Sequence, residues 1–266
     1  MNIQLLIIDP QIDFCDPKGA LYVKGAEKDM ENLAAMINTH GDKIDDIRVT
    51  LDSHQKIHIA HPICWVDSQG NHPAPFTLIS EAEVLGTNPK WKAFNPAWQK
   101  RQVDYVKSLA AGKRYVLVIW PEHCLIGTIG HAVAPVLNDA LAKWQDKNFG
   151  MIDFVTKGSN PFTEHYSVVK ADVPDAGDPT TNINTSFIKR LEDADIILVT
   201  GEALSHCVAN SVRDIALEFG DQHIKKFVLL EDTTSAVPGF ENLADEFVRD
   251  MKAKGMQISK TTTFFK

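Results

Sequence analysis

The sequence lacks the features that mark secreted, membrane-spanning and nucleic-acid-binding proteins. It has 4 cysteines in 266 residues, and they lie far apart without a CxxC pair. We therefore expect neither a disulfide framework nor a zinc knuckle, and we expect the protein to be in the reducing cytoplasm. No apolar run approaches the roughly 18 residues that span a bilayer, and the first ten residues do not fit a signal peptide. The net charge of −8 argues against nucleic acids and anionic membranes as partners.

Short apolar, β-branched runs alternate with helical patterns along most of the chain. The predicted strands are Leu5–Ile8, Ile47–Leu51, Tyr115–Trp120, Met151–Val155, Ile196–Thr200 and Phe227–Leu230. The predicted helices are Asp29–His40, Val133–Asp146, Thr185–Leu191, Cys207–Phe219 and Glu241–Lys254. This alternation predicts one doubly wound α/β/α domain over residues 1–266, with a mainly parallel six-stranded sheet. Ligands of such sheets bind at the carboxyl ends of the strands.

Residues 59–112 interrupt the alternation. The segment is far longer than an ordinary connection and is rich in proline, asparagine and aromatic residues. It carries too many large apolar side chains for a disordered linker, so we interpret it as a folded insertion. It would serve as a lid or an oligomer contact, or only add a small cluster at the surface.

Three side chains that could take part in catalysis follow predicted strands. Cys207 begins a predicted helix after the strand that ends at Thr200, where backbone N–H groups and the helix dipole favour a thiolate and an oxyanion. Asp9 and Lys157 follow two other strands and would supply a base and a cation. Each residue taken singly also has an ordinary interpretation. Cys207 would be a buried inert cysteine, Asp9 an aspartate in a turn, and Lys157 an exposed lysine.

A second group of side chains has the composition of a metal site. Asp52 and His54 are two residues apart after a strand, so in extended geometry they face the same way. His58 and His61 follow, and His123 comes after another apolar run. One carboxylate with two histidines suits zinc, iron or manganese, although solvated histidines around a turn would show the same spacing.

Five segments together resemble the isochorismatase-like cysteine hydrolases, and among them the nicotinamidases and pyrazinamidases. They are LLIIDPQIDFC, DSHQKIH, WPEHCLIGTIG, FVTKGSNPFTEHYS and GEALSHCV, in the order in which the family has them. The resemblance covers residues from position 5 to about 208, and the later EDTTSA segment is also similar. It implies the hydrolase fold of that family and hydrolysis of a small amide, most simply nicotinamide to nicotinate and ammonia.

The resemblance also implies roles for individual residues. Asp9, Lys157 and Cys207 would form a catalytic triad, with the N–H groups of Ala203 and Cys207 as the oxyanion hole. Asp52, His54 and His123 would hold a divalent metal, zinc first and iron or manganese as alternatives, with His58 as a further ligand. Phe14 and Trp120 would flank a flat aromatic substrate, and the Glu202–Ala203 peptide would be cis.

The chain departs from the family beside the predicted nucleophile. Glu202 stands where the family usually has an apolar residue, and Leu204 and Ser205 stand in place of threonine and an acidic residue. These departures leave two alternatives open: a cysteine hydrolase of another small amide or an N-carbamoyl compound, and a non-catalytic metal-binding homologue. A homo-oligomer is also left open.

Overall fold

The computed structural model describes the backbone of residues 1–266 and the side chains of all residues except 221 and 222. The strands are β1 (Ile3–Ile8), β2 (Asp46–Asp52), β3 (Trp65–Val66), β4 (Leu78–Ile79), β5 (Lys92–Ala93), β6 (Leu117–Val118), β7 (Ile152–Lys157), β8 (Ile196–Gly201), β9 (Phe227–Leu230) and β10 (Gln257–Ser259). The helices are α1 (Ile12–Cys15), α2 (Ala26–His40), α3 (Glu81–Val84), α4 (Gln99–Gly112), α5 (Pro135–Asn148), α6 (Thr185–Glu192), α7 (Ala209–Phe219) and α8 (Glu241–Lys254).

The central sheet has six strands in the order β10-β9-β8-β1-β2-β7, and every pairing in it is parallel. This confirms the predicted α/β fold. From β1 the chain moves outward through β2 to β7, then crosses to the other side of β1 and continues through β8, β9 and β10. Right-handed crossovers therefore put α2 and α5, which pack together, on one face and α6, α7 and α8 on the other. The direction reverses between β1 and β8, which is where such sheets bind ligands.

The predicted strand Tyr115–Trp120 does not belong to the central sheet, so that assignment is wrong. Only β6 forms within it, and β6 pairs antiparallel with β4. The backbone of the run is bonded to residues 59–112: Ile119 N–H donates to Thr77 O at 2.9 Å and Trp120 N–H to Ala60 O at 2.7 Å. The run is apolar because this segment buries it. The sixth strand is instead β10, a short edge strand with no strong apolar pattern.

Residues 59–112 fold against the rest of the chain. The segment contains β3, β4, β5, α3 and α4, and the side chains of Trp65 and Ile79 are fully buried. The Trp65 indole donates to Ile59 O at 2.6 Å, which fixes the start of the segment. A disordered linker would bury no such residues. The single-domain organisation, and a role as a lid or an oligomer contact, stay predictions.

Two general features complete the description of the fold. None of the helices that the structure describes is long and apolar enough to cross a membrane. All four cysteines, Cys15, Cys64, Cys124 and Cys207, are buried and free. The thiols are therefore available for chemistry only where a cavity reaches them.

Candidate active site

The carboxyl ends of four strands bring the predicted catalytic and metal-binding residues to one edge of the sheet. Asp9 follows β1, while Asp52 and Lys157 are the last residues of β2 and β7 and lie side by side in the parallel register. Cys207 follows β8 after a short loop. All four side chains are buried, with exposed fractions between 0% and 6%. The sheet order alone explains this convergence, because neighbouring parallel strands end at the same edge.

Lys157 links the two predicted groups. Its Nζ lies 2.8 Å from Asp9 Oδ2 and donates to Cys207 Sγ at 3.6 Å. The same Nζ donates to Asp52 Oδ1 at 3.2 Å. The lysine therefore touches the predicted base, the predicted nucleophile and the predicted metal-binding carboxylate at once.

The two carboxylates beside Lys157 are fixed by hydrogen bonds between β1 and β2. Asp9 has a φ of 45° and its N–H donates to Thr50 O at 3.1 Å, while the Thr50 hydroxyl donates to Asp9 Oδ1 at 2.5 Å. The Gln11 side chain donates to Asp52 O and accepts from Asp52 N–H, each at 2.7 Å. Gln11 is a supporting residue that the sequence analysis did not identify.

Burial and charge shift the pKa values of the three groups differently. For Lys157, burial alone would lower the pKa, but Asp52 and Asp9 outweigh it and hold the pKa well above the ordinary value. For Asp52, burial would raise the pKa, but His54 and Lys157 hold it well below the ordinary value. For Asp9, burial prevails over Lys157 and raises the pKa. Lys157 and Asp52 are thus held in their charged forms, and Asp9 binds a proton more readily than an exposed aspartate.

Cys207 lies in a π-helical turn, Leu204–Val208, that precedes α7. The predicted helix start at Cys207 is therefore displaced by two residues. Burial, with the carboxylates of Asp9 and Asp52, raises the pKa of the Cys207 thiol well above its ordinary value, against the opposing charge of Lys157. This shift favours the protonated thiol and opposes the effect expected of a helix start, so Cys207 would need a base to act as a nucleophile.

The loop before Cys207 has the backbone geometry that the resemblance implied. The Glu202–Ala203 peptide is cis. Glu202 N–H donates to Ile8 O at 2.7 Å, and Leu204 N–H donates to Ser235 O at 2.8 Å. The preceding Gly201 has a φ of 105°, and a Cβ there would lie 2.0 Å from Ile8 O. Only glycine lets the end of β8 approach β1 this closely.

Asp52, His54 and His123 form a compact group of possible metal ligands. Their ligand atoms lie within 4.8 Å of one another, with Asp52 Oδ2 at 3.0 Å from His54 Nε2 and 3.4 Å from His123 Nε2. The Nδ1 atoms of the two rings donate to backbone oxygens, of Gly158 at 3.2 Å and Pro121 at 2.7 Å. These bonds turn both Nε2 atoms toward Asp52, from where they could bind a metal in the neutral form of the rings. One ionised carboxylate and two such imidazoles suit a divalent metal.

Three further titratable side chains surround this group. His54, His58 and Glu164 form a second set with ligand atoms within 4.8 Å of one another. His58 bonds to two backbone groups, Thr163 O at 3.1 Å and Ala60 N at 3.3 Å, so one of these bonds must break if it binds a metal. His61 Nδ1 bonds to Lys56 O, and its Nε2 is buried without a partner among the described residues. His58 therefore stays the predicted further ligand, with His61 as the alternative.

A small cavity of about 30 Å³ lies between the two groups of residues. Its lining residues are Phe14, Leu21, Asp52, Trp120, His123, Glu164, Tyr166, Ala203, His206, Cys207 and Val237. Phe14 and Trp120, which the resemblance predicts to flank a substrate ring, both line this cavity. The space holds about one or two water molecules, so a ring can enter only when lining side chains move.

Several residues that line this cavity were not predicted from the sequence. Glu164 and Tyr166 stand in the quoted segment after Lys157, and the Tyr166 hydroxyl accepts from the Trp120 indole at 2.9 Å. His206 packs among Trp120, Tyr166 and Phe240, and burial lowers its pKa to about 4. In the sequence, only its position next to Cys207 indicated that His206 could belong to the site. A neighbouring position does not show which way the side chain points.

A larger, polar cavity of about 430 Å³ lies on the other side of Lys157. It is lined by parts of residues 156–165 and 179–186, including the start of α6. Neither Asp9 nor Cys207 lines it. The small cavity is therefore the better candidate for the reaction, because Cys207 and Ala203 line it together with the predicted metal ligands Asp52 and His123.

No protein-family model and no curated protein matches the chain. Solved structures do match: the α/β fold is the one found in nicotinamidases and pyrazinamidases. A yeast nicotinamidase is 17% identical with a TM-score of 0.64, over 96% of this chain and 98% of that chain. A nicotinamidase/pyrazinamidase from Acinetobacter baumanii is 20% identical with a TM-score of 0.64, over 98% and 97%.

A third match is the pyrazinamidase of Pyrococcus horikoshii in complex with zinc. It is 19% identical, with a TM-score of 0.58, over 98% of this chain and 99% of that chain. At these identities the likeness establishes the shared fold. The resemblance drawn from the sequence motifs is confirmed at that level, and the chemistry has to be argued from the site itself.

Proposed function

We propose that the protein is a cysteine amidohydrolase that converts nicotinamide to nicotinate and ammonia. One observation carries the proposal: Lys157 Nζ lies 2.8 Å from Asp9 Oδ2 and 3.6 Å from Cys207 Sγ, with Cys207 and Ala203 lining one cavity. Structures that share the fold include a nicotinamidase and a pyrazinamidase, which supports this substrate class.

The first half of the reaction forms an acyl-enzyme. Asp9 accepts the thiol proton as Cys207 Sγ attacks the amide carbonyl carbon. The N–H groups of Ala203 and Cys207 donate to the oxyanion, and a donor of this kind contributes about 10²–10³ in rate. Asp9 then gives its proton to the departing nitrogen, the C–N bond breaks, and ammonia leaves a thioester on Cys207.

The second half regenerates the enzyme. Asp9, again ionised, takes a proton from water, and the hydroxide adds to the thioester carbon. The C–S bond then breaks, Asp9 returns its proton to Cys207, and the acid product leaves as nicotinate after releasing its carboxyl proton to the solvent. The raised pKa of Asp9 suits a group that gains and loses a proton in each half. Lys157 orients Asp9 and balances its negative charge.

A divalent metal fits the donor set beside the cavity. Asp52, His54 and His123 would hold it, with His58 as a further ligand and zinc as the first candidate. A bound ion would offer an open coordination position to the ring nitrogen of the substrate and so orient it. Phe14 and Trp120 would stack on the ring, and they line the same cavity.

A second candidate function keeps the thiol chemistry and changes the substrate. Glu202, Leu204 and Ser205 differ from the usual family residues and border Ala203, next to the expected position of the substrate carbonyl. An N-carbamoyl compound or another small amide would then be the substrate. Turnover of N-carbamoyl compounds with no turnover of nicotinamide would favour this function.

The other partners follow from the same features. We propose a small-molecule amide substrate, with neither nucleic acid nor membrane as a partner, for a chain with a net charge of −8. We also propose a cytoplasmic location, since four free thiols suit a reducing compartment.

Ammonia release from nicotinamide tests the proposal. We expect Cys207→Ala to lower the rate by at least about a thousandfold, because the covalent route is lost. Cys64→Ala is the matched control: this thiol is also buried, does not line the small cavity, and should leave the rate within about twofold. Equal rates for wild type and Cys207→Ala would rule out the covalent mechanism. If neither hydrolyses nicotinamide or another amide and the thiol does not react with iodoacetamide, the chain is the non-catalytic homologue.

A further inference from the structure

Two buried carboxyl groups lie directly behind the loop that carries Ala203. Glu202 follows β8 and is fully buried, and Asp29 in the first turn of α2 is 8% exposed. Ser235 joins them: its N–H donates to Glu202 Oε2 at 3.1 Å and its hydroxyl donates to Asp29 Oδ2 at 2.5 Å. The two carboxyl groups are also within hydrogen-bonding reach of each other. No part of the reaction derived above uses either of them.

Two negative charges on the pair would repel each other in a buried space, and burial raises the pKa of both groups. Other groups that act on the pair are the carboxylates of Glu27 on α2 and Asp232 after β9, and the neutral thiol of Cys15 on α1 lies close to both acids. Among the described side chains, no donor group reaches Glu202 Oε1, although that atom is buried. A proton shared between the two acids removes both problems, because it satisfies the oxygen and halves the charge.

The proton belongs on Glu202. Asp29 lies in the first turn of α2, where the helix dipole favours an anion, and its hydroxyl donor Ser235 further stabilises the ionised form. Glu202 is fully buried, and burial together with the charge of Asp29 raises its pKa well above the ordinary value. A neutral Glu202 can donate to Asp29 and still accept from the Ser235 N–H.

The same residues hold the oxyanion loop from both sides. The Ser235 N–H bonds to the Glu202 side chain, and the Ser235 carbonyl accepts from Leu204 N–H at 2.8 Å. Ala203 lies between the two bonded residues, so its N–H direction depends on both contacts. We propose that Glu202 is a positioning residue that works in its neutral form, donating to Asp29 and accepting from Ser235, and so aims the Ala203 N–H at the substrate carbonyl. Its effect on rate rests on the proposed function.

Ionisation of Glu202 would place two adjacent anions in a buried space. The loop would then move to separate them, and Ala203 would move with it. The proposal predicts that catalysis falls on the alkaline side through kcat, with little change in KM, since a loop contact to the oxyanion acts mainly in the transition state.

The test uses Glu202→Gln, which keeps a donor and an acceptor but cannot ionise, with Glu202→Ala and the exposed Glu246→Gln as comparisons. We expect Glu202→Gln to keep kcat within about threefold at pH 7 and to lose the alkaline decline, whereas Glu202→Ala loses roughly tenfold or more in kcat at every pH. Glu246→Gln should follow the wild type throughout. A Glu202→Gln variant with the wild-type alkaline decline, or with the loss seen for Glu202→Ala, would overturn the proposal.

A measurement without substrate separates this proposal from the proposed function. A raised pKa in the folded state means that wild-type stability falls as pH rises above about 4.5, the ordinary value, because only the unfolded chain then releases this proton. We expect the stability of Glu202→Gln relative to wild type to increase with pH, in urea titrations at several pH values. If Glu202→Gln does not fold, Asp29→Asn serves, since it removes the neighbouring charge and should give the same trend. If the free energy of unfolding changed with pH in the same way for wild type and variant, the shared proton would be refuted, whatever amide the enzyme hydrolyses.

Discussion

Asp9 and Asp52 are buried carboxylates that contact the same lysine ammonium, yet their pKa values shift in opposite directions. Lys157 Nζ lies 2.8 Å from Asp9 and 3.2 Å from Asp52. Asp52 has a second positive neighbour in His54, and its pKa is lowered; Asp9 has no such neighbour among the groups that dominate its pKa, and burial raises it. This difference fits the roles proposed for the two groups, proton transfer for Asp9 and metal binding for Asp52.

The largest expected effect concerns the proton-transfer side. Asp9→Asn keeps the size and hydrogen-bonding capacity of the side chain but cannot accept the thiol proton. We expect kcat for amide hydrolysis to fall by about 10²–10⁴-fold, the usual contribution of general acid–base catalysis, while the affinity for zinc stays within about threefold. Steady-state kinetics measure the loss of kcat, and a zinc titration of the same preparation measures the metal affinity. A normal kcat for Asp9→Asn would exclude Asp9 as the base.

The next largest effect concerns the metal side. Asp52→Asn removes the carboxylate from the Asp52, His54 and His123 group, and we expect zinc affinity to fall by at least about a hundredfold. Competition with a chromogenic chelator measures this without any need for activity. Asp9→Asn is the matched control, because it is a buried carboxylate on the same lysine. If both variants lost zinc equally, the division of labour between the two residues would be wrong.

The half-buried Asp172, whose Oδ2 atom is buried, has no lysine among the groups that dominate its pKa. Burial and the charge of Glu164 raise the pKa of Asp172 from 3.8 to about 8, against an opposing effect of Arg114. Stability should therefore fall as pH rises from about 4 to about 8, while the unfolded chain alone releases this proton. We expect Asp172→Asn to be more stable than wild type by at least about 2 kcal/mol at pH 8, with no gain at pH 4. Chemical denaturation at the two pH values measures this, with the exposed Asp139→Asn as control; an equal difference at both would contradict it.

The smallest effect concerns the further metal ligand. We expect His58→Ala to weaken zinc binding by about tenfold, because His58 shares a ligand group with His54 and Glu164. His61→Ala should weaken it by less than about threefold, since His61 is in neither of the two groups. The reverse order of the two variants would assign the ligand role to His61.

The sequence was informative where local pattern and strand order determine the structure. Residues that follow apolar strands, such as Asp9, Asp52 and Lys157, meet because parallel strands end at one edge. Pattern could not place Tyr115–Trp120, because its apolar character reflects coverage by residues 59–112 rather than pairing in the central sheet. The short edge strand β10 carries almost no apolar signal, and its place depends on the fold of the whole chain.

The chemistry of the site was less predictable than its residues. A helix start at Cys207 favours a thiolate, but burial raises the pKa of the thiol, and burial depends on how distant segments pack around Cys207. Glu164, Tyr166 and His206 also line this cavity through contacts between distant segments. The loop departures at Glu202 were visible in the sequence, whereas the partner Asp29 lies 173 residues earlier and only the fold brings it near.

Trapping the acyl-enzyme tests the central claim most directly. The enzyme is mixed with nicotinamide, quenched in acid within the first turnovers, digested, and analysed by mass spectrometry. We predict a nicotinoyl group on the peptide that contains Cys207, and none in Asp9→Asn or Cys207→Ala treated in the same way. Rapid hydrolysis with an unmodified Cys207 peptide, together with full activity of Cys207→Ala, would contradict the account.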